Sequence, residues 1–218
     1  ELMTFGCFVA TGARSALKNV APRPDRKVAP GTLVMIDLGC RYHGYQSDTS
    51  RNVVVGTVTP DLADMLDTCD EALAAGRAAV RPGVLDVDVV AAMKTVIADR
   101  GHAAHDFTIC HGYGLELVEE PMFQPARPIP LEEGMCFYLE PMIIPPSVGS
   151  VCIEDMVIVP ANARERLTTH PPRLSPPARA PPRPARPPPC RSQDSRRRPS
   201  GRGRQDLEPQ TVAGADGL

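Results

Sequence analysis

Residues 34–52 read VMIDLGCRYHGYQSDTSRN, two apolar-flanked strand-like segments around Arg41-Tyr42-His43-Gly44. Gly44 is free to take the positive φ a tight hairpin needs. A loop centred between Tyr42 and His43 pairs Cys40 with Tyr45, Gly39 with Gln46, Leu38 with Ser47 and Asp37 with Asp48. Opposed residues of an antiparallel pair hold their Cβ atoms about 4.5–5.5 Å apart on one face. Two carboxylates at that distance repel, and a cation between them turns the liability into a site.

The same arithmetic works in residues 137–156, FYLEPMIIPPSVGSVCIEDM. A loop centred on Ser147 pairs Ile144 with Ser150, Met142 with Cys152 and Glu140 with Glu154. Carboxylates are almost never buried unpaired, so two acid pairs embedded in apolar strands are hard to read as solvated faces. A one-residue slip would destroy either pairing. His111, in ICHGYGLELVEEP before a Gly-x-Gly turn, supplies an imidazole. Four carboxylates and one imidazole suit Mn²⁺, Co²⁺, Fe²⁺ or Zn²⁺, and hard oxygen ligands favour manganese. Two such ions about 3.5–4 Å apart would bridge a hydroxide nucleophile.

Around these hairpins, residues 4–10 and 33–38, Asn52–Thr57, Met135–Leu139 and Val151–Val159 are strand-like. Thr59 and Pro60 open a helix that Arg81-Pro82-Gly83 stops, and a second helix runs from about Asp86 to Arg100. Strands, then two helices, then strands indicate an α+β fold with helices packed on an antiparallel sheet.

The 218 residues carry a formal net charge of -2, which hides a split. Residues 1–170 hold 14 basic and 22 acidic residues, whereas 171–218 hold 10 Arg against 4 acids. Residues 1–170 form the expected catalytic domain. The Pro/Arg-rich remainder has too few large apolar residues to offset its ordering entropy. Three readings of it stand: a disordered tail that binds SH3-like domains or acidic surfaces, a bland solvated extension, and a frameshift artefact of a GC-rich gene. Seven cysteines in irregular spacing, with no CxxC, indicate a reducing compartment, hence a cytoplasmic location. No run approaches the roughly 20 apolar residues of a membrane span, no signal-peptide pattern is seen, and neither nucleic acid nor membrane is an expected partner. A chain that starts at Glu1 and runs at once into a strand-like segment is expected to lack an N-terminal part.

Together these segments resemble the superfamily of methionine aminopeptidases, Xaa-Pro peptidases and creatinase over roughly Phe5 to Thr169. The first hairpin is similar to that family's Asp-bearing hairpin, CHGYGLELVEEPMF to its His motif, and LEEGMCFYLEPMI and VCIEDMVIV to its two Glu motifs. The resemblance implies the pita-bread fold, two divalent ions (Mn, Co or Zn) and a homodimer. It implies that Asp37 chelates one metal, that His111 and Glu140 hold the other, and that Asp48 and Glu154 bridge both. Glu140 would also act as general base for the bridging hydroxide. IDLG and SDTSRNVVVG lean towards prolidase and aminopeptidase P, enzymes that cleave an amide bond near a substrate's N-terminus. Three accessory polar positions of the peptidases are changed, to Asn19, Val118 and Cys152. Losing one oxyanion donor costs about 10²–10³ in rate. The alternatives are therefore a small-molecule C–N hydrolase or lyase on the same fold, or an inactive fragment that keeps it.

Among the remaining polar residues, His102 and His105 are read as an exposed connection rather than a metal pair, and His43 as a solvent-facing turn. Tyr45 is a candidate for the pocket wall. Glu119 and Glu120 are read as support or surface. Asp155 should face away from the site, and Arg41 and Arg51 are read as surface ion pairs of small value.

Overall fold

Two residues with positive φ decide where the first hairpin turns. His43 (φ 49°) and Gly44 (φ 91°) form a two-residue connection whose twist matches that of the flanking strands. The structure, a computed structural model, describes residues 2–3, 7–17, 20–105, 109–123, 125–160 and 167–171, all in the first of two units of the chain, Glu1–Ala178. Asn19, Cys190 and most of the Pro/Arg-rich segment lie outside the described residues.

The strands are β1 (Leu2–Met3), β2 (Phe8–Thr11), β3 (Leu33–Leu38), β4 (Cys40–Tyr42), β5 (Tyr45–Gln46) and β6 (Thr49–Val54), then β7 (Ile109–Gly112), β8 (Cys136–Glu140), β9 (Met142–Ile143), β10 (Val151–Cys152) and β11 (Asp155–Ile158). Between the two groups lie α1 (Pro60–Ala79) and α2 (Asp86–Asp99). This is the α+β order expected, with every ladder antiparallel.

The register of the first hairpin corrects the expected one. Tyr42 faces Tyr45, Arg41 faces Gln46 and Asp37 faces Ser50, not Asp48. The turn uses two residues rather than four because His43 accepts the left-handed conformation. The slip is two residues, so every side chain keeps its face, and Asp37 and Asp48 remain diagonal neighbours. In the second hairpin Met142 faces Cys152 and Leu139 faces Asp155, the register expected from the loop count.

Both hairpins are interrupted midway. The first breaks at Gly39 and at residues 47–48, and the second at Pro141 and at residues 153–154. Register is the same on either side of each break, so the arms bend without slipping. The breaks lie against each other. Glu154 N–H donates to Ser50 O (3.1 Å), and the Asn52 amide stands in for a strand edge, donating to Ser150 O (3.2 Å) and accepting from Cys152 N–H (2.8 Å).

Helices cover the other face of the second sheet. Thr59 caps α1, its Oγ1 accepting from Leu62 N–H, with Pro60 in the first turn, where its missing donor costs nothing. Leu66, Cys69 and Leu73 of α1 and Val89, Met93 and Ile97 of α2 join Phe137, Leu139, Ile153 and Val157 in one buried core. That core fixes β8, which ends in Glu140, and β11, which Glu154 immediately precedes. Among the described residues no helix is long and apolar enough to cross a membrane.

A short 3-10 helix at Gly12–Ala16, absent from the sequence expectation, braces the second hairpin. Ser15 Oγ donates to Gly12 O and accepts from Ser150 N–H, both at 2.7 Å. Gly149 sits at φ 113°, where an added Cβ would lie 2.1 Å from Gly12 O and 2.3 Å from Ser15 Oγ. Gly149→Ala is therefore expected to cost about 3 kcal/mol through strain and overpacking. Urea unfolding checks this, and a loss under about 1 kcal/mol would show that the brace carries little.

Candidate metal centre

The sequence places acids at both hairpin breaks, and the fold brings the breaks together. Ligand-capable atoms of Asp48, His111 and Glu154 all lie within 4.8 Å of one another. Asp37 and Glu140 flank them: repulsion from both reaches Asp48 and Glu154. Glu140 ends β8 and pairs with Ile109, which sets His111 one pleat further along β7.

Their environment is that of a site short of positive charge. Burial first, then repulsion from Asp37 and Glu140, pushes the Asp48 carboxyl up to about 9. Burial and the same neighbours, with Asp48, hold the Glu154 carboxyl well above the ordinary carboxylate range. Asp48 Oδ1 is buried and has no hydrogen-bond partner, an orphaned acceptor of the kind a cation satisfies. Burial lowers the basicity of His111, which favours neutral imidazole, the form that ligates metals. Its Nδ1 lies 3.1 Å from Gly112 O, which as a donor contact turns Nε2 towards Glu154 Oε1 at 3.8 Å. A neutral ring makes that last approach a convergence of two ligands rather than an ion pair. The donor set therefore fits divalent ions: acids too crowded to ionise alone, an unused lone pair, and an oriented imidazole.

Supporting groups complete the centre. Ser50 Oγ donates to Glu154 Oε2 (3.1 Å), and Thr49 Oγ1 donates to Glu154 O (3.1 Å). Asp48 N–H donates to Tyr138 Oη at 2.5 Å, and the Tyr138 ring packs on His111 and Tyr113. Cys152, fully buried, directs Sγ at Glu140 Oε1 (3.4 Å). Tyr138 and Ser50 were missed in the sequence, although a signal was present: each stands two positions from a candidate ligand and so shares its strand face.

Other expectations fare differently. Tyr45 is 63% exposed, so it stands at the surface rather than forming a buried pocket wall. His43 is an exposed turn residue, as expected. His102 is half-buried rather than exposed, its Nε2 2.7 Å from Asp64 Oδ2. Glu119 braces its own loop by accepting from Glu116 N–H (3.0 Å), and Glu120 is exposed. Asp155 does face away from the acids. Arg51, expected as a surface ion pair, is only 5% exposed and bonds buried Asp155 at 2.6 Å. The alternation that points Ser50 at the acids points Arg51 inward on the opposite face.

Comparison with known proteins accords with this geometry. The chain is 32% identical over 169 residues to the Xaa-Pro dipeptidase of Pyrococcus horikoshii, covering 77% of this chain and 48% of that protein. It is 36% identical over 137 residues to the probable dipeptidase PepE of Mycobacterium tuberculosis, covering 62% of this chain and 36% of that one. Among solved structures, prolidase from Thermococcus sibiricus superposes with a TM-score of 0.74 at 30% identity, covering 79% of this chain and 47% of that one. The chain thus spans about half the length of the curated relatives it matches, or less. The fold is the pita-bread fold that the resemblance implied. With residues 1–161 matching the family model described as Metallopeptidase family M24, the chain belongs to that metallopeptidase family.

Proposed function

We propose that Asp37, Asp48, His111, Glu140 and Glu154 hold two divalent ions, manganese favoured, in a hydrolase centre that cleaves the amide bond of Xaa-Pro-type peptides next to their N-terminus. The observation that carries this reading is the convergence of Asp48, His111 and Glu154 within 4.8 Å at the meeting of two broken hairpins. Bound ions would supply Lewis acidity to the scissile carbonyl and an activated water. The chain's own groups do the rest. Glu140 takes the proton of the attacking water and passes it to the leaving nitrogen. The Cys152 thiol beside Glu140 Oε1 gives that carboxylate a weak neutral donor. Asp48 and Glu154 would be the ligands shared by the two ions, and each is fixed by a backbone or hydroxyl contact.

Residues 1–170 are proposed as the catalytic domain and 171–218 as a Pro/Arg-rich tail whose first residue, Pro171, is held by Arg51. A cytoplasmic location is also proposed, supported by six described cysteines of which none forms a disulfide. Assembly as a homodimer belongs to the proposal on the strength of the family likeness. A second reading, a small-molecule C–N hydrolase or lyase, is favoured by Val118, which is 50% exposed on the loop after His111 and offers no polar group to a peptide carbonyl.

Hydrolysis of Xaa-Pro dipeptides and of longer Xaa-Pro peptides by the Mn²⁺-loaded chain separates the readings. The proposal expects release of the N-terminal residue from at least one of them. Bound metal with both peptides intact would shift the assignment to small amides. Asp48→Asn is expected to abolish turnover while raising the melting temperature of metal-free protein at pH 8, because the amide needs no proton taken up to be buried beside the other acids; unchanged turnover would remove Asp48 from the centre.

The acids also set a pH dependence. In the metal-free protein Asp48 and Glu154 hold protons that the unfolded chain releases above about pH 4. Their contribution is full below about pH 4 and falls as pH rises, that of Asp48 being lost towards about 9. The melting temperature of metal-free protein should therefore fall from pH 5 to pH 8, and Mn²⁺ at pH 8 should restore it. A metal-free curve that rises over that range would contradict the crowding.

A further inference from the structure

Behind Glu154, on the face away from the acids, Arg51 uses every donor it has. A guanidinium carries five N–H groups. Here Nη1 donates to Ser50 O (2.8 Å) and Glu154 O (2.6 Å), and Nη2 to Asp155 Oδ1 (2.6 Å) and His170 O (3.3 Å). Nε donates to Pro171 O (3.1 Å). Asp155, fully buried, also accepts from Arg77 of α1 at 3.0 Å. One side chain thus ties β6, the 153–154 break, β11 and the segment at residues 170–171 into one unit, and Asp155 extends that unit to α1.

A buried ion pair is weak evidence for stability, since apolar replacements are often neutral or better. What this one adds is geometry. Two of its five bonds grip the main-chain carbonyls of Ser50 and Glu154, the residues whose side chains meet at 3.1 Å on the opposite face. We propose that Arg51 is a positioning residue for the metal centre, holding β6 and the Glu154 break at the spacing at which Asp48 and Glu154 converge, with the His170 and Pro171 carbonyls as its outer anchors. The inference rests on the dinuclear reading above. It gives a role to residues 170–171, which follow Thr168, whose Oγ1 accepts from Met156 N–H of β11.

The test is Mn²⁺ titration calorimetry on the full chain, with Arg51→Lys, Asp155→Asn and Arg77→Met. Lysine keeps the charge but cannot reach four carbonyls and a carboxylate at once. Loss of a partner that orients a ligand typically costs about 10–100-fold in metal affinity, and Arg51→Lys should fall in that range. Asp155→Asn keeps an acceptor but frees the guanidinium, so affinity should drop in the same direction; it serves as the test if Arg51→Lys does not fold. Arg77→Met touches only the far side of Asp155. It should lower the melting temperature while leaving affinity within about twofold of wild type, a split that a purely structural role of the network would not produce. Wild-type Mn²⁺ affinity in folded Arg51→Lys, or in Asp155→Asn if that variant alone folds, would overturn the inference and leave the dinuclear reading standing. A wild-type chain that binds no Mn²⁺ would overturn both.

Discussion

The structure depends on a repulsion. Four carboxylates and an imidazole meet where two bent hairpins touch, in surroundings that water only partly reaches. Burying ionised acids side by side is among the most unfavourable arrangements available to a chain. The fold tolerates it through protons, through hydroxyl and thiol donors, and through a cation when one is present. Burial first, and this repulsion after it, push the Asp48 and Glu154 carboxyls up, and the orphaned Asp48 Oδ1 marks an acceptor left unsatisfied.

Much of the architecture reads as support for that arrangement. The helical core anchors β8 and β11, so Glu140 and Glu154 cannot drift apart. Asn52 and Ser15 each stitch the second hairpin to an N-terminal element. Tyr138 receives the backbone N–H of Asp48 and packs on His111, joining an acid of one hairpin to the imidazole of the next strand. Polar residues inside this domain are concentrated where the acids are, and most of the remaining interior is apolar.

Legibility of all this in the sequence followed the physics of each signal. Helix α1 was readable because Thr59, Pro60 and a helical apolar period agree at one place. The second hairpin was readable because its loop, Pro-Pro-Ser-Val-Gly, leaves little freedom of register. The first was misread by two residues because His43 gave no sign that it would adopt a left-handed conformation, yet the acids still converged, since an even slip conserves faces. Arg51 was misread because its burial depends on Asp155, more than a hundred positions away, and on carbonyls at residues 170–171 that belong to no regular element. Tyr138 was overlooked although its spacing from Glu140 put it on the same face. Caps and loop-limited hairpins were legible, whereas a left-handed His43 and an arginine buried by a distant aspartate carry no local sign.

The convergence of ligands makes the metal content of the protein its most direct measure. Chain purified, stripped with chelator, reloaded with Mn²⁺ at neutral pH and dialysed should retain about two ions per chain by elemental analysis, the number that four carboxylates and one imidazole accommodate. Retention of no Mn²⁺, Co²⁺ or Zn²⁺ by folded protein would contradict the account, because the acids would then have gathered without the cation that explains them.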